Sequence, residues 1–272
     1  MIRKLSNTCC CSSIRRGFTL IELLVVIAVI ALLLSIMMPA LASAKEIAKK
    51  LLCSSNLHSV GIGLMTYQHD HRDRLPLQYD RWGPVAETYD NRYMEPWVSY
   101  VAYHQDQVDA TGNLKPLQLA YLWQQRNIDT PEAFYCTSQA PRGDTLPYTY
   151  DYYTQDGTIE WGTVLPIKAN GSPDDKIRVS YHYWLHGQSS LNNLSNKPVV
   201  FDNIQHWNSV AHTKNNHPHG VNALFGDGHV NFSHDDDLFD HTLWNGGPTA
   251  GPWDGPGNRH DLFTAILRKI NP

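Results

Sequence analysis

Residues 15–40 read RRGFTLIELLVVIAVIALLLSIMMPA, and this stretch decides how the chain is built. From residue 23 to residue 42 every side chain is apolar except Ser35. Twenty residues in a helix rise about 30 Å, which matches the hydrocarbon core of a bilayer. The apolar region of a secretory signal is shorter. We therefore expect a membrane-spanning helix that stays in the mature protein.

A single acid, Glu22, stands at the head of this apolar run. An ionised side chain at the centre of a bilayer costs roughly 2.5–3.5 kcal/mol on insertion scales, and such residues are usually functional. The alternative is a carboxylate that only reaches the membrane interface. Glu22 is thus a candidate functional residue.

Positive charge is concentrated before the span. Residues 1–17 hold four of the 22 basic residues and no acid, which leaves 18 basic against 26 acidic residues and a formal charge of −8 for the rest. The positive-inside rule places the N-terminus in the cytoplasm and the chain after about Lys45 outside. An acidic chain repels a phosphate backbone, so no nucleic-acid partner is expected.

An amphipathic helix is predicted to extend the span to residue 70. Pro39 removes one backbone donor and should bend the helix, while Gly61 and Gly63 weaken the prediction near its far end. The apolar residues that recur at spacings of three and four are Ile47, Leu51, Leu57, Val60, Leu64 and Tyr67.

A globular α+β domain is predicted from residue 71 onward, with a small antiparallel sheet and long loops. The clearest strands are residues 197–203 and a hairpin of VNALF and HVNF, turned by Gly226-Asp227-Gly228. Residues 261–270 are predicted to form a helix capped by Asp261. We expect the eight Trp and fourteen Tyr to supply core area, with a carbohydrate-binding surface as the alternative.

The string RRGFTLIE at residues 15–22, followed by an apolar helix, resembles the class III signal of type IV pilins and type II secretion pseudopilins. The resemblance implies cleavage by a prepilin peptidase between Gly17 and Phe18, N-methylation of Phe18, and loss of the leader. Glu22 then falls at mature position five and Pro39 at mature position twenty-two, where these families carry an acid and often a proline.

Partners and localisation follow from the same resemblance. Glu22 of an incoming subunit would neutralise the Phe18 amine of its neighbour in a filament. The implied partners are other pilin or pseudopilin subunits, a secretion or pilus assembly platform, and a separate motor ATPase, because the sequence has no ATP-binding motif. The implied location is the inner membrane, with one span, a cytoplasmic N-terminus and a periplasmic C-terminal domain.

A second resemblance lies near the C-terminus. HPHGVNALFGDGHV, from residue 217, is similar to the prepilin-associated H-X9-DG domain, because nine residues separate His217 from Asp227 and Gly228 follows. CSSNLHSVGIGLMTY from Cys53 and FYCTSQ from residue 134 resemble segments of the same large pseudopilin-like proteins, with Thr137 replacing a proline. The resemblance assigns no activity.

The predicted organisation is a pilin-like α+β protein. It comprises a cleaved leader (1–17), a transmembrane and filament-core helix (18–42), its amphipathic extension (43–70), and a head domain (71–272) that contains the H-X9-DG segment (217–228).

Histidine and aspartate near the C-terminus allow two interpretations. On a hairpin, residues i and i+2 share a face, which would pair His217 with His219 and Asp227 with His229 as ligands of zinc or iron; His234 is a further candidate. The alternative is a tight turn at Asp227-Gly228, with His217 bonded to nearby backbone.

The acidic run Asp235, Asp236, Asp237, with Asp240, could bind calcium through carboxylate oxygens. A solvated run of charge is the alternative. No other cofactor is expected.

Cys53 and Cys136 are the only cysteines after the leader, and an oxidising compartment outside the membrane favours a disulfide between them. Such a bond would staple the helix to the head. Two free thiols are the alternative.

The expected function is that of a structural, non-enzymatic subunit of a type II secretion or type IV pilus-like filament. The sequence contains no G-x-S-x-G, H-E-x-x-H or C-x-x-C signature and no phosphate loop. The alternative is a membrane-anchored surface binding protein or metal-dependent enzyme that uses the pilin-like helix as an anchor.

Overall fold

The computed structural model describes residues 18–78, 98–139, 148–168, 170–204, 209–214, 217–234, 236–239 and 259–270. Residues 1–17, the predicted leader that ends at Gly17, lie outside this part of the chain. The predicted α+β class is confirmed, with a long N-terminal apolar helix and small antiparallel sheets. The chain divides into two compact units, Met1–Lys45 and Glu46–Pro272.

The long helix, α1, spans Leu20–Asp70 without interruption. It runs through Pro39 and through both Gly61 and Gly63, so the predicted extension to residue 70 is present. In the first unit the large apolar side chains of residues 20–41 are all exposed, by 46% to 79%. This is the only described helix that is long and apolar enough to cross a membrane, judged by length and composition.

The strands of the second unit form two antiparallel sheets in the described residues. The smaller pairs β1 (Val101–His104) with β2 (Lys176–Arg178). The larger has the order β3-β4-β6-β5, with β7 paired to β6. Its strands are β3 (Tyr181–Tyr183), β4 (Pro198–Asp202), β5 (His212–Lys214), β6 (His217–Phe225) and β7 (Val230–Ser233).

The β6–β7 hairpin is present where the sequence predicted it, with Leu224 opposite Val230. Gly228 adopts φ +91°, a left-handed conformation that glycine enters without steric cost. At Gly226 a Cβ atom would lie 2.5 Å from the backbone carbonyl oxygen of Leu194, to which the Gly226 N–H donates a hydrogen bond. The turn conformation therefore requires Gly228, and close packing against Leu194 requires Gly226.

Within the second unit, α1 turns one face toward the core. Its fully or nearly fully buried residues are Cys53, Leu57, Val60, Gly61, Gly63, Leu64 and Gln68. The predicted apolar face is wrong at Ile47 and Leu51, which are 60% and 66% exposed. Leu51 and Leu57 are six positions apart, and at about 100° per residue their side chains point about 120° apart around the helix axis. Cys53 is the residue that continues the buried face.

Gly61 and Gly63 bring α1 close to the rest of the second unit. A Cβ at Gly61 would lie 2.8 Å from Cδ1 of Leu224 on β6, and a Cβ at Gly63 would lie 2.9 Å from Cγ1 of Ile128. The glycines that weakened the helix prediction therefore serve a packing contact.

Short helices complete the described part of the second unit. They are α2 (Ala120–Gln124), α3 (Tyr150–Thr154), α4 (Arg259–Leu267) and 3₁₀ turns at Pro131–Phe134, Leu191–Asn193 and Asp236–Phe239. The predicted cap at Asp261 is wrong, because α4 begins at Arg259 and Asp261 lies in its first turn. An acid is favourable at either place, so its presence does not fix the helix start.

Aromatic side chains fill much of the core, as expected. Trp161 and Trp184 are both buried, and they meet neighbours edge to face. Ring centroids lie 5.2 Å apart for Tyr103 and Trp161 and 4.8 Å apart for Trp184 and Phe263. Such pairs add to the stabilisation that comes from their buried area.

A buried ion pair beside β2 is hydrogen-bonded to α3. Arg178 Nη1 lies 3.1 Å from Oδ2 of Asp174, which is fully buried, and the same nitrogen donates to the Tyr153 hydroxyl. The Tyr152 hydroxyl donates to the Asp174 carboxylate. Each charge thus has hydrogen-bonding partners, which a buried pair requires.

Candidate functional site

The N-terminus of α1 is capped by reciprocal hydrogen bonds between Thr19 and Glu22. The Thr19 backbone N–H and hydroxyl each donate to Glu22 Oε2, at 2.8 Å. The Glu22 backbone N–H lies 3.3 Å from the Thr19 hydroxyl oxygen, which accepts from it. This arrangement is a capping box, in which two otherwise unpaired donors of a helix start are satisfied.

Sequence reasoning missed the capping role of Glu22. The signal was available, because a threonine three residues before a glutamate is the pattern of a capping box. Both hydrogen bonds from Thr19 reach the same carboxylate oxygen, Oε2. The second oxygen keeps its lone pairs, so the cap leaves the carboxylate able to accept from a cation as well.

Phe18, the expected first residue after cleavage, is 71% exposed in the described structure. Its neighbours along the helix are exposed apolar side chains, and no residue in the most apolar stretch is buried by the chain itself. A contiguous apolar surface of this kind marks a site for lipid or for other proteins. Pro39 lies within this exposed segment of α1.

The two cysteines of the expected disulfide are bonded in the structure. Cys53 lies on α1, and Cys136 lies 83 residues later, just after the 3₁₀ turn Pro131–Phe134. Their Cα atoms are 4.9 Å apart. Both are buried. Adjacent hydrogen bonds reinforce the link, since Asn56 Nδ2 donates to the Tyr135 carbonyl at 3.0 Å and the Thr137 hydroxyl donates to the Lys49 carbonyl at 3.4 Å.

Beside the disulfide lies a buried polar cluster formed by Asp202, His212 and Asn222. His212 Nε2 is 3.6 Å from Cys136 Sγ and 3.4 Å from Asp202 Oδ2. The Asn222 side-chain amide lies 2.7 Å from the same ring nitrogen and 3.2 Å from Asp202 Oδ2. Strands β4, β5 and β6 each supply one member, so the register of the larger sheet assembles the cluster.

Burial controls the charge state of this cluster. It raises the pKa of Asp202 to about 7, although hydrogen bonds from Asn222 oppose the shift. Burial also lowers the pKa of His212 to about 3, and the positive charges of Lys50 and Lys49 add to that effect. His212 is therefore neutral at pH 7.

Sequence reasoning did not single out Asp202, His212 or Asn222. Each is a polar residue within an apolar strand segment, in VVFDN, VAHT and GVNALF. Polar residues at such positions are worth marking, because a side chain buried in a sheet must find its partners across strands. Their mutual proximity depends on strand order, which the sequence did not reveal.

The predicted Asp227–His229 pair is close in space, at the exposed β6–β7 turn. The His229 backbone N–H donates to Asp227 Oδ1 at 3.1 Å, and ring nitrogen Nδ1 contacts the same oxygen. The bond from the His229 backbone lowers the pKa of Asp227. The His229 ring stacks on Phe225 with centroids 4.4 Å apart. These contacts are those of a turn that holds itself together.

The other predicted metal ligands are not gathered into one site in the described residues. The ring centroids of His219 and His234 are 6.2 Å apart, and the side chain of His217 lies outside the described part. In that part, the side chains grouped closely enough to hold a metal are Cys53, Cys136 and His212, with candidate ligand atoms within 4.8 Å of one another.

Little of the predicted calcium-binding run belongs to the described structure. Asp235, Asp240 and the side chain of Asp236 lie outside it. The Asp237 carboxylate is exposed and lies 3.6 Å from Lys269 Nζ. The calcium site stays a prediction.

A surface pocket of about 410 Å³ lies at the end of α2. Its lining combines an indole ring, an amide, a guanidinium and two carboxylates. The lining residues are Trp123, Gln124, Arg126, Ile128, Asp129 and Glu160.

Comparison with known proteins identifies the N-terminal segment. The family described as the prokaryotic N-terminal methylation motif matches residues 12–38. No curated protein and no solved structure matches the chain. The motif indicates a precursor similar to type IV pilins and pseudopilins, and implies processing by a prepilin peptidase and assembly with other pilin-like subunits. The single apolar helix fits membrane anchoring.

Proposed function

We propose that the chain is a structural subunit of a type II secretion or type IV pilus-like filament, cut between Gly17 and Phe18 and assembled through α1. The observation that carries the proposal is the coincidence of the methylation motif with a helical segment whose apolar side chains are all exposed. In the membrane these side chains face lipid, and in a filament they would face the same segment of other subunits.

Pairing between the Phe18 amine of one subunit and the Glu22 carboxylate of another would favour assembly. Cleavage creates a free amine on Phe18, and an unpaired charge in an apolar filament core is costly. Glu22 of a neighbouring subunit supplies the opposite charge, and the attraction is strong in a low dielectric. The cap from Thr19 holds the carboxylate at the helix start, where an incoming amine can reach its second oxygen.

The topology we propose is a single span in the inner membrane, with the N-terminus in the cytoplasm and the head in the periplasm. Basic residues before the span support this orientation. Because a prepilin peptidase cuts on the cytoplasmic side, only the 1–17 leader is lost. A separate motor ATPase and an assembly platform would then extract subunits from the bilayer.

The head would decorate the filament and define its particular role. The spacing of His217, Asp227 and Gly228 supports a relationship to the H-X9-DG domain, which we include as part of the proposal. In that interpretation the motif builds the β6–β7 turn, since the described contacts of Asp227 are local.

Three variants separate the charge role of Glu22 from its capping role. Glu22→Gln keeps a capping side chain and removes the charge, whereas Thr19→Ala removes the cap and keeps the charge. Glu22→Ala removes both. Each variant is expressed with its prepilin peptidase and assembly partners, and processing and incorporation into filaments are measured separately.

We expect all three variants to be inserted and cleaved. Glu22→Gln and Glu22→Ala should both fail to enter filaments, while Thr19→Ala should assemble. Normal assembly of Glu22→Gln would overturn the charge-pairing proposal. Equal loss in Thr19→Ala and Glu22→Ala, with Glu22→Gln normal, would show that Glu22 acts only as a cap.

A second candidate function is that of a membrane-anchored surface binding protein, and the pocket beside Trp123 favours it. Its volume lies in the range of small-ligand sites. An indole ring among hydrogen-bonding groups suits a saccharide, which offers apolar faces and hydroxyl edges. Titration of the full chain with chito- and cello-oligosaccharides, followed by tryptophan fluorescence, tests this function. Saturable binding lost in Trp123→Ala would support it, and no binding would remove it.

A further inference from the structure

We propose that the second unit, while Cys53 and Cys136 are still thiols, binds one zinc ion through Cys53, Cys136, His212 and Asp202. The disulfide and the zinc site would be two alternative states of the same pair of sulfurs. All four ligands lie in the second unit, Glu46–Pro272, so the site is independent of the proposed filament role of the N-terminal part of α1.

The distances between the candidate ligands match a tetrahedral zinc site along two of its six edges. With Zn–S near 2.3 Å and Zn–N or Zn–O near 2.0–2.1 Å, tetrahedral ligands lie about 3.6 Å apart for sulfur and nitrogen and about 3.3 Å apart for nitrogen and oxygen. The observed separations are 3.6 Å from Cys136 Sγ to His212 Nε2 and 3.4 Å from His212 Nε2 to Asp202 Oδ2.

The edge between the two cysteine sulfurs requires a side-chain movement. Two thiolates on one tetrahedral zinc lie about 3.8 Å apart, so the two sulfurs must separate once they are no longer bonded. The Cα atoms of Cys53 and Cys136 are 4.9 Å apart, and rotation about the Cα–Cβ bonds can provide this separation without backbone movement.

His212 is already in the protonation state that a metal needs. The Asn222 amide nitrogen can only donate, so at 2.7 Å it must donate to Nε2 of His212. Nε2 therefore carries a lone pair, and the ring proton is on Nδ1. A zinc ion at Nε2 would replace the Asn222 donor.

The cluster also contains buried polar atoms that the chain does not satisfy. Asp202 Oδ1 and His212 Nδ1 have no hydrogen-bond partner although both residues are fully buried. Buried atoms of this kind in native proteins often indicate water or an ion. A zinc ion would give the Asp202 carboxylate a direct counter-charge in place of the solvation that it has lost.

The two states differ in electrons and protons. The chain is synthesised with two thiols, and zinc binding converts them to two thiolates with release of two protons. Disulfide formation instead releases two protons and two electrons, which a disulfide-bearing thiol oxidant accepts as it becomes a dithiol. A sulfur in the disulfide cannot act as a thiolate ligand, so each state excludes the other. Zinc would join α1 to the head before oxidation makes the link covalent.

Zinc stoichiometry of the two redox forms tests the proposal. The chain from Phe18 onward, which lacks the three cysteines at residues 9–11, is purified in detergent, once after oxidation and once in a phosphine reductant, exposed to zinc, dialysed and analysed for metal and free thiols. We expect one zinc per reduced chain and none in the oxidised chain. Cobalt replacement in the reduced chain should give thiolate-to-cobalt charge-transfer absorption with tetrahedral d–d bands.

Variants identify the ligands. His212→Ala and Asp202→Asn should each weaken zinc binding by at least about 10-fold, which is the loss expected even for outer-shell partners. Cys53→Ser should weaken the thiolate-to-cobalt charge-transfer band, because Cys136 remains as the one thiolate ligand. His229→Ala, at the exposed turn, is the matched control and should leave zinc binding unchanged.

Reduced wild-type protein that retains no stoichiometric zinc would overturn the proposal. So would His212→Ala and Asp202→Asn variants that bind zinc as tightly as the wild type, because the thiols alone would then explain binding. Circular dichroism of each variant checks its fold. The cobalt spectrum of the wild-type chain gives a result that does not depend on any variant folding.

Discussion

The two parts of helix α1 lie in opposite environments, although they belong to one continuous element. From residue 20 to residue 41 all large apolar side chains are exposed, whereas from Cys53 to Gln68 the helix has a fully buried face. The first part offers its apolar surface to something outside the chain. The second part uses its apolar surface within the fold of the head.

The difference shows which interactions each part depends on. In the head, disulfide, packing and burial are supplied by the chain itself, so their loss should appear as lower stability of a single molecule. In the N-terminal part the side-chain hydrogen bonds lie within the helix itself, as at the Thr19–Glu22 cap and from the Ser35 hydroxyl to the Leu32 carbonyl, so most changes should affect insertion or assembly and leave head stability unchanged.

The largest expected effect is that of removing the Cys53–Cys136 bond. The bond joins residues 83 apart, and the chain-entropy account gives about 4.5 kcal/mol for such a loop. The Cys53→Ser/Cys136→Ser double variant should therefore unfold at much lower urea concentration than the oxidised wild type. The measurement is made with a chelator present, so that metal binding does not contribute. Equal midpoints would show that the bond does not stabilise the head.

Leu57 and Leu51 provide a matched pair on the same helix. Leu57 is fully buried, and Leu57→Ala should cost about 3 kcal/mol through lost burial and the cavity left behind. Leu51 is 66% exposed, and Leu51→Ala should change head stability by less than about 0.5 kcal/mol. Urea unfolding followed by tryptophan fluorescence compares them. Similar losses for both would contradict the burial pattern of α1.

Acid should weaken the head through His186, with a contribution of the same sign from the buried His212. Burial lowers the pKa of His186 from the ordinary 6.5 to about 4, while the hydrogen bond from its Nε2 to the Pro198 carbonyl opposes the shift. Because the folded pKa is the lower one, unfolding takes up a proton and stability falls as pH falls from 6.5 to 4. The loss is on the order of 2 kcal/mol, allowing for partial exposure of the ring.

His186→Asn should flatten this part of the pH profile, since asparagine does not titrate and tolerates the positive φ of 51° at this position. The measurement is the urea midpoint of the variant and the wild type at several pH values between 4 and 7.5. A slope as steep in the variant as in the wild type would show that other groups cause the acid effect.

The smallest expected effect on the stability of the head is that of Thr19→Ala, at the start of α1. Loss of the cap should cost about 1 kcal/mol at the helix end. Faster amide hydrogen exchange in residues 20–23, measured in detergent, should accompany an unchanged urea midpoint of the head. A shift of that midpoint would contradict the separation of the two parts of α1.

The long helix, the hairpin and the strand at 197–203 could be predicted because their signals are local. A long apolar run, a periodic pattern and a turn with two glycines are each contained in one stretch of sequence. The buried face of α1 was predicted well at Leu57, Val60 and Leu64 and wrongly at Ile47 and Leu51. The spacing of apolar residues alone could not decide which face of α1 is buried, because it did not show where the head packs against the helix.

The buried cluster could not be predicted because it is created by strand order. Asp202, His212 and Asn222 come from three strands, and His212 approaches Cys136, which lies 76 residues away. The capping role of Glu22 was not predicted, although the Thr19–Glu22 spacing is a local pattern. Predicting the long-range contacts requires the fold, whereas the cap can be predicted from residues 19–22 alone.

The most direct test of the proposed function is mass spectrometry of filaments sheared from cells that produce this chain. The proposal predicts that the filaments contain it with an N-methylated Phe18 as the first residue and without the 1–17 leader. Filaments that lack the chain, in cells where it is correctly cleaved and abundant in the membrane, would contradict the proposal and favour a membrane-anchored role.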